Sequence, residues 1–330
     1  MKPQIDYARI FRGAARMEDM GKARELLRVV AAAAAEYQPA ADTAASTVAD
    51  KDFAEHFDKR KEDIDHLHNE IKTEFRLVQG EVLRKLRRHF TNADITSAEG
   101  GDFMFDPEQL AADLSEVLGD ALPDILIDAG QDVLDGFLPA PEEARAFINE
   151  RQNLMTDVSQ EVFDSVKAEL QEGLDKGESY RELAKRLSDK FEEISEGRAQ
   201  TVASTEVASA YGKARNDAMI ESGVKYKIWV GSGRPPGTPG GMRPAHAAAH
   251  YMQQTVPFDE PFIVDGEELM YPTDPKGSPE NIINCHCVAL PMEEPLRGKE
   301  VVSRQRTIQQ NDSTGILARP KSENTPKGQY

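Results

Sequence analysis

Both cysteines of this 330-residue chain fall in one window, Met242–Leu290, together with three of its seven histidines. A segment that gathers sulfur and imidazole so densely is held by a metal or by a tightly specified small fold. His246 and His250 are four residues apart and share one face if the segment is helical. Cys285 and Cys287 are two apart and point the same way if theirs is extended. The four side chains then form a tetrahedral Cys2His2 set for a structural zinc, with sulfur at ~2.3 Å and nitrogen at ~2.0 Å. Cys-x-Cys is not the usual Cys-x2-Cys knuckle, so a second reading stands beside it. In that reading both cysteines are reduced core residues, and His246 and Arg243 bond loop carbonyls. A third reading makes Cys285 a nucleophile activated by His246. No further orienting residue is identifiable for it.

Ahead of this window the periodicity is helical. Residues 7–36 carry Tyr7, Ile10, Phe11, Ala14 and Met17 at helical spacing. Ala-rich sequence to residue 48, interrupted by Pro39, reads as a connector. Residues 51–91 form a long arm with Phe53, Phe57, Ile64, Leu67, Ile71, Phe75, Val78, Val82 and Leu86 on one face. A loop is expected from Asn92 to Gly101. An acidic section follows, in which Pro123 is expected to separate two short helices. After Leu138-Pro139-Ala140-Pro141, the row Leu154, Val158, Val162, Val166, Leu170, Leu174 predicts a helix ending at Gly177. Ser179 and Glu182 form a capping box that starts the next one. A further helix is expected over 198–221, with Ala203, Ala208, Ala210 and Ala214 on a small-residue face. The pattern then changes to strands at 224–230 and at Phe262–Tyr271, a hairpin turning at Asp265-Gly266. A last strand is expected over Cys287–Leu290. Trp229 reads as the core anchor of this part.

The charge is −18 and uneven, because residues 101–150 hold 13 acidic side chains against one Arg. Such a surface argues against wholesale coating of nucleic acid, which needs cations to displace counterions. The one dense basic run is Arg84, Lys85, Arg87 and Arg88, a candidate contact for genomic DNA or an acidic partner. No stretch approaches the length of a membrane span. Walker, His-Glu-x-x-His and Gly-x-Ser-x-Gly motifs are absent, so the NTPase, zincin and hydrolase readings that depend on them have no support.

Residues 151–292 carry an ordered set of short motifs. Glu169-Leu170, Gly177-Glu178-Ser179, Leu183-Ala184, Arg198-Ala199, Thr205-Glu206, Ala210-Tyr211 and Ala214-Arg215 come first. Trp229-Val230, Arg243-Pro244-Ala245-His246, Met270-Tyr271-Pro272, Asp274-Pro275, Pro279-Glu280 and Asn284-Cys285-x-Cys287 follow. In this order and spacing the segment resembles the phage Mu F-like minor head proteins. It departs from them twice: Gly231–Gly241 has no acid, and His286 stands where the family usually has Arg. The resemblance implies a structural, non-enzymatic minor capsid protein of a tailed phage or prophage. Its expected partners are the portal, capsid or scaffold proteins, and its expected location is the virion, with the host cytoplasm during assembly. Thr205, Glu206, Trp229, Arg243, His246, Asn284, Cys285 and Cys287 are the motif residues it singles out. An internal head protein expelled with the DNA is the alternative.

The expected fold is α+β and mostly helical. A helical region with its acidic section spans 1–137. A Mu F-like domain with a short antiparallel sheet spans 138–295, and a polar tail spans 296–330.

Overall fold

The computed structural model describes residues 43–92, 104–232, 236–237 and 241–294. The expectations for 7–36, for the loop after Asn92 and for the tail from 296 lie outside these residues. Four long helices make up the larger part: α1 (Thr43–Asn92), α2 (Pro107–Gln131), α3 (Pro141–Asp175) and α4 (Tyr180–Ser222). A small module follows. Its three-stranded antiparallel sheet has the order β2 (Thr255–Pro257), β1 (Tyr226–Val230), β5 (Val288–Met292). Beside it lie the hairpin β3 (Phe262–Val264) and β4 (Glu267–Leu269) and two short helices, α5 (Pro244–Tyr251) and α6 (Pro279–Ile282). This is the mostly helical α+β class that the periodicity implies. Among the described residues no helix is long and apolar enough to cross a membrane.

Local chemistry sets the helix ends. Asp106 caps α2 by accepting from Glu108 N at 2.9 Å, and Pro107 and Pro141 fill first turns that have no bond to lose. Past α3, Gly177 at φ +70° lets Glu178 N reach Gly173 O at 3.0 Å, which satisfies carbonyls the helix leaves open. Ser179 and Glu182 form the capping box of α4. In the hairpin, Asp265 and Gly266 both take positive φ, as a type I′ turn demands.

Several expectations are corrected. Helix α1 begins at Thr43, inside the stretch read as a connector, because alanine favours helix over coil. Pro123 does not divide the acidic section. Leu110, Leu114, Leu118 and Leu122 before it and Ile125 and Leu126 after it lie on one buried face, and that burial outweighs the lost bond to Gly119 O. In α3 the buried row runs Phe147, Arg151, Met155, Ser159, Val162, Val166, Leu170, while Leu154 is exposed. A strict four-residue step drifts around a helix of 3.6 residues per turn, so the true face corrects its steps of four with one of three, from Ser159 to Val162. The helices expected at 180 and 198 are one. Leu183, Leu187, Phe191, Ile194, Ala199 and Val202 keep its face continuous. Strand β2 and helix α6 were not foreseen.

One apolar core runs from Ile64 on α1 to Ala214 on α4 and draws on all four long helices, so it crosses the boundary drawn at residue 138. A second core surrounds Trp229 in the module. Between them lies α4, in which every residue from Val202 to Tyr211 is buried. At Gly212 a β-carbon would stand 2.6 Å from Pro272 O and 2.7 Å from Thr273 Oγ1, so the 271–274 loop rests directly on the helix backbone.

Replacing Pro123 with Ala restores a donor to the middle of α2. It is expected to raise the unfolding free energy by about 1–3 kcal/mol, below the full helix-interior penalty because proline also restrains the unfolded chain. Urea unfolding at constant m-value checks this.

Candidate functional site

The candidate site forms where the module meets the helices. Pro244 opens α5, which presents His246 inward at 1% exposure. The Cys285–Cys287 segment runs from α6 into β5 with both sulfurs buried. Asn284, at φ +53°, makes the bend, a conformation that asparagine tolerates well. Its backbone N–H donates to Thr205 Oγ1 on α4 at 3.2 Å. Arg243 donates to Ile283 O, and Arg60 on α1 donates to Cys285 O at 2.8 Å. Three elements distant in sequence therefore pin the cysteine loop.

His246 Nδ1 lies 3.5 Å from Cys285 Sγ and 3.5 Å from Cys287 Sγ. Its Nε2 faces Asn281 Oδ1 at 3.0 Å. The Asn281 amide nitrogen donates to Val264 O at 3.5 Å, so its oxygen is the atom turned to the ring. Nε2 then carries the imidazole proton, and the Nδ1 lone pair points at the sulfurs. The Trp229 ring stands edge-on to His246 and to Phe262, each at 5.4 Å between centroids. Hydrogen bonding from Cys287, with help from His246, holds Cys285 well below the usual thiol range. The same bond, together with burial, pushes Cys287 well above it.

Of the four expected metal ligands, His246, Cys285 and Cys287 come together, with ligand atoms all within 4.8 Å of one another. His250 does not join them. One helical turn on from His246, its ring packs beside Tyr251 and against Gly231. His286, between the two sulfurs in sequence, is also not in the group. A nucleophile needs a path for its substrate, and Cys285 at 1% exposure offers none.

Thr205 and Glu206 have separate tasks. Thr205 holds the cysteine loop. Glu206 forms a buried two-pronged ion pair with Arg151 on α3, at 2.5 and 2.9 Å. Sequence reasoning missed Arg60, Arg151 and Lys227. The first two left a trace: each is a charge on an otherwise apolar helical row, Arg60 before Ile64 and Arg151 between Phe147 and Met155. Lys227 sits in β1 at 0% exposure, donates to Met270 O at 2.7 Å and lies over the Phe258 ring at 5.0 Å. Burial pushes its pKa down to about 8.

Residues 164–290 match the family model described as Phage Mu protein F like protein. The match begins in α3, takes in all of α4 and ends in β5. The uncharacterized protein YqbB of Bacillus subtilis (strain 168) is 32% identical over 126 residues, which cover 37% of this chain and 39% of that relative. The aligned stretch thus spans less than half of the relative's length. No solved structure matches the chain.

Glu206→Leu leaves Arg151 charged and buried, and is expected to cost about 3–5 kcal/mol. Adding Arg151→Met should recover most of that loss, as a double-mutant denaturation cycle reads directly. For Lys227 the folded pKa lies below the unfolded one. Between pH 8 and about 10.5 the unfolded chain therefore binds more protons, and stability rises with pH. The stability of wild type minus that of Lys227→Met is expected to climb by about 3 kcal/mol over that window, at about 1.4 kcal/mol per unit.

Proposed function

We propose that this chain, whose residues 164–290 belong to the Mu F-like family, is a minor structural protein of a tailed-phage or prophage head. It works in head morphogenesis, contacts the portal or the inner face of the procapsid, and ends up in the virion. The family match carries this reading. The structure supports an assembly part in two ways. Its sulfur–imidazole centre is sealed inside the fold, which suits architecture better than turnover. Helix α2 also turns Glu108, Glu116, Asp120 and Asp124 outward, an acidic face suited to a basic partner surface.

A second reading, an internal head protein that travels with the DNA, draws on Arg84, Arg87 and Arg88, exposed near the end of α1. Lys85 belongs less to that surface, since it pairs with Glu81 at 2.6 Å and donates to Met104 O at 2.8 Å.

Co-expression with tailed-phage portal and scaffold proteins, followed by pull-down and mass spectrometry of procapsids, tests the first reading. The protein is expected in procapsids at low copy number and with the portal. Its absence from both would overturn the proposal. A salt titration of DNA binding separates the second reading: three phosphate contacts on a duplex give a log–log slope near −3, and no salt-dependent binding removes it.

A further inference from the structure

We propose that His246, Cys285 and Cys287 bind one zinc ion as a three-residue centre, with Asn281 as the residue that orients the imidazole. Geometry carries the proposal. A tetrahedral zinc with nitrogen at ~2.0 Å and sulfur at ~2.3 Å holds each nitrogen–sulfur pair about 3.5 Å apart. Both sulfurs stand at that distance from Nδ1. One lone pair accepts one S–H bond well, so two sulfurs converging equally on it mark the edges of a coordination polyhedron rather than a single hydrogen bond.

The surroundings fit. Asn281 fixes the tautomer that leaves Nδ1 free to ligate, the usual arrangement around a zinc-bound histidine. The buried Arg60 guanidinium donates to Cys285 O at 2.8 Å and so holds the cysteine loop in place beside the imidazole. The buried Trp229 indole N–H has no hydrogen-bond partner within ordinary range and borders the Cys287 sulfur, where a metal-bound thiolate would accept it. Soft sulfur with imidazole selects zinc over magnesium or calcium. Among the described residues no fourth His, Cys, Asp or Glu reaches the group, so the fourth position falls to an oxygen from water or the main chain. The ion would tie α5 to the segment entering β5, which Arg60 already ties to α1. This inference does not depend on the role in the phage head.

The test uses the full chain, purified without chelator or affinity metal. Elemental analysis is expected to find one zinc per chain. Replacing zinc with cobalt(II) should give a sulfur-to-cobalt charge-transfer band and intense tetrahedral d–d bands. Asn281→Ala, which keeps all three ligands, should weaken zinc affinity by about 10–100-fold in a chelator competition. His250→Ala should leave stoichiometry and affinity unchanged. Cys287→Ser should abolish the charge-transfer pattern of the two-sulfur site. Because a ligand variant can fail to fold, the cobalt spectrum of the unmutated protein is decisive. Wild-type protein that is metal-free, takes up neither zinc nor cobalt, and shows two titratable thiols or a Cys285–Cys287 disulfide would overturn the proposal.

Discussion

Ten consecutive residues of α4, Val202–Tyr211, are buried on every side, and the rest of the molecule is arranged around that constraint. A helix enclosed all round has no solvent to absorb its polar groups, so its charged and strongly polar side chains need partners within the fold. Glu206 finds Arg151, and Thr205 accepts from Asn284 N–H. Enclosure also limits size. Ala203, Ser204, Ala208, Ser209 and Ala210 let α1, α2 and α3 approach on one side and the 271–274 loop on the other. Thr273 Oγ1 can then donate to Ala208 O at 3.0 Å. The buried ion pair need not add net stability over an apolar pair, but removing either partner leaves a buried charge uncompensated between α3 and α4.

Much of this was legible in the sequence, and the gaps have physical causes. Helices whose ends carry their own chemistry were readable: Ser179 with Glu182, Gly177, and proline at the start of α3 act locally. So was the Asp265-Gly266 hairpin, because its turn requires those residue types. What failed was continuity. Pro123 was read as a break and residue 198 as the start of a separate helix, and tertiary burial overrode both. Strand β2 has three residues, too few for a period, and exists because β1 offers it an edge. At the site, the two cysteines and His246 were visible by type and spacing. Arg60 was not assigned there, since nothing local links a residue of the first long arm to a loop 225 positions later. His250 fits the spacing rule but not the site, because the rise of about 6 Å over four helical residues sets it beside Gly231 and Tyr251, one turn beyond the sulfurs.

The helical core crosses from the N-terminal helices into the family-matched segment, so neither would be expected to hold its form alone. The sulfur–imidazole cluster lies where two cores approach, under Trp229 and beside Arg60. A group placed there bears on how the helices and the module are held together, while acidic side chains of α2 and the arginines near the end of α1 are exposed.

The bond from Arg60 to Cys285 also sets a timetable. A ribosome makes the arginine early and the cysteine loop late, and until that loop emerges the bond to Cys285 O cannot form. The four helices can gather first, through contacts closer in sequence. A nascent chain truncated before residue 285 should therefore lack this link between α1 and the module while keeping the apolar core that α1 shares with the other long helices.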